Sequence, residues 1–210
     1  MTISGSDLLY DIGGLLLDPA EATWAISQKE SAVNEAILAV CLIRPDATAT
    51  PIEITMSTGS AMQSVPSGNT RLLDIVMNKT GKPVRKISRE VMNDALPDWT
   101  TETTATSIEH YMFDEETPLI FYVYPVPSTA LILNAIVAAN PTVFSSSSSS
   151  IGIQEIFIPA VIEYSLYRCL AKEGQGQDLA KAASHLSAFY NLLGAKAQSD
   201  AVLKQIQDAK

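Results

Sequence analysis

The spacing of apolar residues changes twice along the chain. From Leu8 to Cys41, and again after Ile158, apolar residues recur about every three to four positions, a period typical of amphipathic helices. Between Thr50 and Val137 they recur at every second position, which is typical of half-buried β-strands. The pattern therefore predicts two helices, a β-rich stretch and two further helices.

The first two helices carry recognisable end signals. Ser6 is a candidate N-cap for the first helix, which is expected to end near Asp18. Ser27 and Glu30 have the spacing of a capping box, so the second helix is predicted to begin there. The proline after Arg44 cannot continue a helix and is expected to end it.

The β-rich stretch is predicted to contain roughly six strands, because short alternating runs are separated by turn residues. Residues 78–81 are expected to form a hairpin turn, and residues 88–96 a short helix closed by Pro97. The candidate strands are residues 52–56, 72–77, 84–87, 107–113, 119–124 and 129–137.

One of these strands carries bulky residues on both faces. Phe121 and Val123 lie on one side of a period-two strand, Tyr122 and Tyr124 lie on the other, and two prolines then forbid a further regular ladder. Such a strand is either buried centrally within one subunit or covered by neighbouring copies of the chain. The strand alone leaves both interpretations open.

The last two helices follow a serine-rich run. Residues 145–150 are all serine and predict a flexible connection, because they cannot bury apolar surface. Pro159 fits the first position of the next helix. The final strong helix is predicted from about Asp178, with Gly194 in the C-cap position.

The C-terminal residues 196–210 carry few apolar side chains in a polar context, which makes an isolated helix marginal. They are either a docking segment or a frayed tail. As a docking segment they would offer Val202, Leu203 and Ile206.

Together these elements predict an α+β fold with an antiparallel helical bundle from both chain ends and an inserted antiparallel β region. Residues 1–48 and 152–195 are expected to form the bundle, and residues 49–144 the β-rich insertion. Residues 145–151 would be a serine-rich linker, and residues 196–210 a C-terminal docking segment.

The composition argues against some classes of function and favours another. A net charge of −9 argues against a protein that grips nucleic acid, which requires clustered Lys and Arg. The longest apolar run, residues 36–43, is far too short to cross a bilayer, and the N-terminal residues lack an export signal, so we expect synthesis in the cytoplasm and no membrane contact. With 47% hydrophobic residues, the chain has an apolar surplus that suits protein interfaces.

Candidate chemistry is sparse. Cys41 and Cys169 stand alone in helical patterns as small hydrophobes, and neither His110 nor His185 has a partner that forms a catalytic motif. The strong catalytic signatures are absent, so the sequence predicts no enzyme, no cofactor and no metal site. The acidic run 114–116 is explained by a solvated turn rather than by the spacing of a calcium loop.

A hydrolase remains the alternative, because glycosidases need only two carboxylates. Asp114 and Glu116 lie beside the aromatic strand and are the candidate pair for a glycan or cell-wall hydrolase.

Several short segments occur along the chain in a recognisable order and spacing. They are Arg44-Pro45-Asp46-Ala47, residues 71–81, residues 84–90, Leu96-Pro97-Asp98-Trp99, residues 110–114, residues 121–125, and residues 159–172 with Tyr164, Tyr167 and Arg168. In this order and spacing the chain resembles the phage head-to-tail adaptor (connector) family of tailed bacteriophages. The likeness covers about residues 6–196.

The resemblance implies a structural virion protein in the neck between head and tail. It implies a homo-oligomeric ring, commonly a dodecamer, that lies below the portal protein and joins it to a downstream tail or nozzle protein. DNA would pass through the channel of this ring without specific binding during ejection. We predict subunit or tail contacts at Tyr122, Tyr124, Trp99 and Tyr111, and portal contacts at Val202, Leu203 and Ile206.

Overall fold

The computed structural model describes residues 3–101, 104–148, 150–174 and 176–208, and the side chains of these residues up to 194. The helices in chain order are α1 (Gly5–Leu15), α2 (Ile26–Ile43), α3 (Arg89–Ala95), α4 (Ile158–Ala171) and α5 (Leu179–Asp208). The strands are β1 (Ala49–Thr55), β2 (Met62–Ser64), β3 (Asn69–Asn78), β4 (Arg85–Lys86), β5 (Thr104–Ala105), β6 (His110–Phe113), β7 (Ile120–Tyr124), β8 (Val126–Pro127) and β9 (Ile132–Ala139).

The chain divides into two compact units. The helical unit comprises Met1–Ala47 and Pro141–Lys210, and the β unit comprises Thr48–Asn140. The predicted α+β class is confirmed, since helices and strands both occur in long segments of the chain.

The helical unit has one hydrophobic core that draws residues from both ends of the sequence. Leu8 and Ile12 of α1, Val33 of α2, Val161 of α4 and Phe189 of α5 are all nearly or fully buried in it. Burying a side chain of this size contributes roughly 1.5–3 kcal/mol, so these helices depend on one another for stability. Within α1 and α2 the buried positions follow the predicted helical period.

Several predicted helix ends are wrong. Ser4 rather than Ser6 caps α1, and its side chain accepts the backbone N–H of Asp7. The α2 helix begins one residue before Ser27 and has no side-chain cap, because its N-cap residue is Ala25, whose methyl group cannot accept a hydrogen bond. The carboxylate of Glu30 accepts the N–H of Ser146 instead. The α5 helix passes through the predicted C-cap at Gly194 and continues to Asp208.

Two serines of the run 145–150, whose flexibility stays a prediction, form hydrogen bonds with α1 and α2. The N–H of Gly5 donates to the Ser148 carbonyl at 2.8 Å, and the N–H of Ser146 donates to Glu30 Oε1 at 2.6 Å. The side chain of Asn34 both donates to and accepts from the backbone of Phe144, at 2.9 Å each. Polar groups on α1 and α2 therefore bind the backbone of this segment, and the side chain of Phe144 at its start is buried in the core.

The described residues of the β unit form three sheets. A three-stranded sheet has the order β1-β9-β3 and is antiparallel throughout. A four-stranded sheet has the order β2-β7-β6-β4, and a two-stranded sheet pairs β5 with β8. The expectation of purely antiparallel pairing is wrong in two places, because β4 pairs parallel with β6 and β5 pairs parallel with β8.

The main strand predictions are confirmed, whereas the two- and three-residue strands β2, β5 and β8 are missed. These are too short to show an alternating pattern. Pairing also resumes within the double-proline segment, because Val126 lies between the prolines and pairs with Thr104 of β5. The hairpin turn is confirmed by the N–H of Asn78, which donates to the Lys82 carbonyl at 2.8 Å.

Candidate assembly surfaces

An aromatic cluster lies beside α3 in the β unit. Trp99 is 3% exposed, and its ring meets that of Tyr122 edge-on with centroids 5.9 Å apart. Its indole N–H donates to Asn93 Oδ1 at 2.8 Å, which satisfies its only polar group. Tyr122 and Tyr124 are half-buried at the edge of this cluster. Their rings therefore pack within the chain on one side and meet solvent on the other.

Tyr111 occupies a more enclosed position. It is 2% exposed, and its hydroxyl donates to Asp74 Oδ1 at 2.6 Å. Burial, followed by the hydrogen bond to the Asp74 carboxylate, raises the pKa of Tyr111 above its ordinary value. The group therefore stays protonated at neutral pH and acts as a fixed hydrogen-bond donor.

The four β-unit residues predicted as contacts thus fall into two classes. Tyr122 and Tyr124 keep partly exposed rings, whereas Trp99 and Tyr111 are buried by their own chain. Their contact with another molecule stays a prediction. The predicted portal contacts Val202, Leu203 and Ile206 have side chains that lie outside the described residues.

The exposed apolar residues of the helical unit were not among the residues predicted from the sequence. Tyr10, on α1, is 77% exposed, and Leu17, two residues after the end of α1, is 87% exposed. On α2, Leu38 and Leu42 are one turn apart and are 59% and 84% exposed. The available signal was a second apolar stripe at helical spacing, which a search for a single buried stripe overlooks.

Leu17 combines exposure with an unusual backbone. Its φ is +56°, a left-handed conformation that normally favours glycine. The N–H of Leu17 donates to the Gly14 carbonyl, and that of Asp18 donates to the Gly13 carbonyl, the two bonds of a Schellman motif. A bulky residue at the glycine position of this motif lowers the free energy of unfolding. The exposed side chain of Leu17 also makes few contacts within its own chain.

The three-stranded sheet also exposes an apolar groove. Pro51 of β1, Val76 of β3 and Ile136 of β9 line it, and Val76 is 38% exposed. Glu53 and Asn134 border the same groove. One face of this sheet is buried in the β-unit core, so the groove is a second apolar face of the same strands.

The described residues offer little for catalysis. Within the described ranges, no group of three or more His, Cys, Asp or Glu could hold a metal ion. Asp114, one of the two carboxylates of the hydrolase alternative, forms an ion pair of 2.8 Å with Arg89. His185 Nδ1 lies 2.7 Å from Glu163 Oε2, a partner that the sequence did not indicate. Burial raises the pKa of the Cys169 thiol to about 11, which leaves it unreactive at neutral pH.

No helix in the described part of the chain combines the length and apolar character needed to cross a bilayer. The exposed features of both units are apolar and aromatic surfaces of the kind that proteins use to contact other proteins.

The comparison with known protein families agrees with a protein that contacts other proteins. The chain matches the SU10 adaptor protein family over residues 1–206, and it belongs to that family. The resemblance to phage head-to-tail adaptors is thereby confirmed. No curated protein matches the chain. Family membership implies a structural, non-enzymatic role in phage tail assembly, contact with portal and tail proteins, and a place in the virion neck.

Proposed function

We propose that copies of this chain form a homo-oligomeric ring, most simply a dodecamer, that docks below the portal, joins it to the next tail component and encloses a channel for DNA. The observation that carries this proposal is the family match over almost the whole chain. In the proposed ring the helices of both chain ends form an antiparallel bundle that builds the wall. The β unit contributes contacts between copies and toward the tail.

The exposed apolar residues support the ring. A closed ring with head-to-tail contacts buries two different surfaces of every subunit. The helical unit offers Leu17 near α1 and Leu42 on α2, both more than four-fifths exposed, and the β unit offers the groove around Val76. Burying such residues between copies gains free energy that the isolated chain does not have.

The charge of the chain supports passage of DNA. A net charge of −9 per copy gives a ring that repels the phosphate backbone on average. A channel of this kind lets DNA move without the strong binding that a basic lining would cause.

Electron microscopy of the purified protein, alone and mixed with the portal protein of the same phage, tests the proposal. We expect rings with a central channel that are bound to the portal, and these can require the portal as a template because binding stabilises the assembled state. A chain that stays monomeric and unbound in the presence of the portal contradicts the proposal.

The C-terminal segment 196–210 is proposed to bind the portal. Deleting it removes the end of α5 but none of the described core side chains. The expected result is an unchanged thermal unfolding temperature with weaker portal binding in a pull-down. A matched control replaces 196–210 with a Gly-Ser chain of equal length, which preserves the length but removes Val202, Leu203 and Ile206. Unchanged portal binding by both variants would refute this role.

A further inference from the structure

Positive charge is concentrated in one short part of the β unit. Residues 79–89, here called the basic segment, carry five of the 14 basic residues of the chain and no acidic residue. The remaining sequence holds nine basic residues and all 23 acidic ones. The five basic residues are Lys79, Lys82, Arg85, Lys86 and Arg89.

Hydrogen bonds of the Asn78 side chain connect the basic segment to the rest of the β unit. The Asn78 side chain is 3% exposed; it donates to the carbonyls of Ile108 at 2.8 Å and Lys82 at 3.0 Å, and it accepts the N–H of Ile108 at 2.9 Å. Backbone bonds from Arg85 to Glu109 and from Ile87 to Tyr111 continue the attachment. The charges are therefore presented by an ordered β structure.

Only part of this charge is neutralised within the chain. Lys79 pairs with Glu53 at 2.8 Å, and Arg89 pairs with Asp114 at 2.8 Å. Lys82, Arg85 and Lys86 are exposed and form no ion pair with any residue that the structure describes. Lys86 Nζ lies over the Phe113 ring, 5.6 Å from its centroid, whereas Lys82 and Arg85 have no charged or aromatic partner among the described residues. Two exposed cations thus remain without a partner in and just before the edge strand β4 of the four-stranded sheet.

The adjoining helix α3 has the opposite excess. Glu90 and Asp94 are exposed, lie one helical turn apart, and have no ion pair among the described residues. Like charges at this spacing destabilise a helix, and Asp94 lies near the C-terminal end, where the helix dipole disfavours a negative charge. A cation from another molecule would offset both unfavourable terms.

We propose that the basic segment of one copy docks against the α3 acidic pair, Glu90 and Asp94, of the neighbouring copy. This inference rests on the proposed ring and names the charged contact that sets the direction of its interface. The two patches differ, and each is used once per interface, as a head-to-tail ring requires. A second copy is favoured over DNA because the rest of the chain is strongly acidic, so it attracts the basic segment and repels phosphate.

Charge reversal on each side separately provides the test. The first variant carries Lys82→Glu and Arg85→Glu, and the second carries Glu90→Lys and Asp94→Lys. Each alone places like charges across every interface, so we expect ring formation on the portal to fall at least about tenfold relative to wild type, measured by counting rings in electron micrographs. A matched control with Glu116→Lys and Glu173→Lys has the same charge change as the second variant, and it lies outside both α3 and the residues that bond to the basic segment. It should assemble like wild type.

Mixing the two variants gives the decisive result. When the two variants alternate around a ring, the glutamates of the first variant face the lysines on α3 of the second. The native basic segment of the second variant then faces the native α3 of the first. Every interface therefore joins opposite charges, and the mixture should restore assembly. A single chain with all four substitutions should also assemble, because its charges are exchanged within each interface. Circular dichroism of each variant shows whether it is folded.

The outcomes separate this inference from the proposed ring. If wild-type protein forms no ring with the portal, the proposed function fails and this contact fails with it. If wild type assembles and both folded reversal variants assemble equally well, or if the mixture and the four-substitution chain stay unassembled, only the charged contact is overturned. It is also overturned if the first variant forms normal rings but loses retention of a fluorescent DNA duplex, since the segment would then contact DNA.

Discussion

The hydroxyl of Tyr111 donates a 2.6 Å hydrogen bond to Asp74 Oδ1 and thereby connects β6 of the four-stranded sheet with β3 of the three-stranded sheet. Both residues share the β unit, and Tyr111 also packs in its larger hydrophobic core. A hydrogen bond to a carboxylate in such a setting is stronger than one between neutral groups.

Tyr111→Phe should therefore lower the free energy of unfolding by about 1–2 kcal/mol, because the hydrogen bond is lost while the ring still fills its site. Urea unfolding followed by fluorescence measures the change. Tyr10→Phe is the control, since Tyr10 is 77% exposed and has no comparable bond among the described residues. Equal stability of the two variants would show that the Tyr111 bond contributes nothing net.

Gly5 and Gly14 form a matched pair within α1. A Cβ at Gly5 would overlap the Ser145 carbonyl oxygen, whereas a Cβ at Gly14 meets nothing within 4 Å. Gly5→Ala should destabilise the helical unit by about 1–3 kcal/mol through overpacking. Gly14→Ala should stabilise it by about 0.5 kcal/mol through helix propensity. Thermal unfolding of both variants checks the opposite signs; a neutral Gly5→Ala would mean that the serine segment is not packed against α1.

Leu17→Gly should raise stability and weaken assembly together. Glycine relieves the left-handed backbone at Leu17, a gain of up to about 1 kcal/mol in unfolding free energy. The same substitution removes an apolar side chain that is 87% exposed and is proposed to meet a neighbouring copy.

The experiment for Leu17→Gly compares its melting temperature with its ring yield on the portal. Leu15→Gly serves as control, because Leu15 is 60% exposed but helical, so glycine there should destabilise by about 1 kcal/mol. A Leu17→Gly chain that is more stable and assembles fully would remove Leu17 from the proposed contact surface.

Asp18 gives a pH-dependent prediction. Its carboxylate accepts the backbone N–H groups of Ala22, Thr23 and Trp24 at 2.8–2.9 Å. The bond from Trp24, opposed in part by burial and helped by the other two bonds and by Lys29, holds the pKa of Asp18 below its ordinary value of 3.8. The ionised form therefore stabilises the folded state above pH 3.8, and this contribution is lost as the pH falls through the lowered pKa.

Asp18→Asn should accordingly melt at a lower temperature than wild type at pH 7, and the difference should shrink as the pH falls below about 4. Differential scanning calorimetry across this range measures it. Asp11→Asn changes an exposed carboxylate on α1 and should show little effect at either pH. A constant difference at all pH values would show that the charge of Asp18 is not the stabilising feature.

The sequence predicted those parts of the fold in which one residue pattern decides the outcome. The long helices and the strands β1, β3, β7 and β9 follow from periodic burial, and the short helix expected over residues 88–96 is present as α3. Contacts between distant segments could not be predicted this way. The attachment of Ser146 to Glu30 and the pairing of β5 with β8 depend on which backbone groups meet in space.

The candidate surfaces likewise include residues that a sequence pattern identifies and residues that only the three-dimensional contacts identify. Tyr122 and Tyr124 were identified because a strand with two bulky faces is unusual, and both are half-buried. Trp99 is buried because it packs against Met92 and Met112 in three dimensions, and no pattern along the sequence shows these contacts. The cations of the basic segment that lack an ion pair can be identified only after the ion pairs of Lys79 and Arg89 are known.

We propose that this SU10-family chain assembles as a ring on the portal. A cryo-electron microscopy reconstruction of the protein mixed with the portal protein of its phage tests the ring itself. We expect a closed ring of identical copies around an open channel, with apolar residues such as Leu17 and Leu42 covered by neighbouring molecules. Monomers that remain separate from a fully assembled portal, with those residues still in solvent, would contradict it.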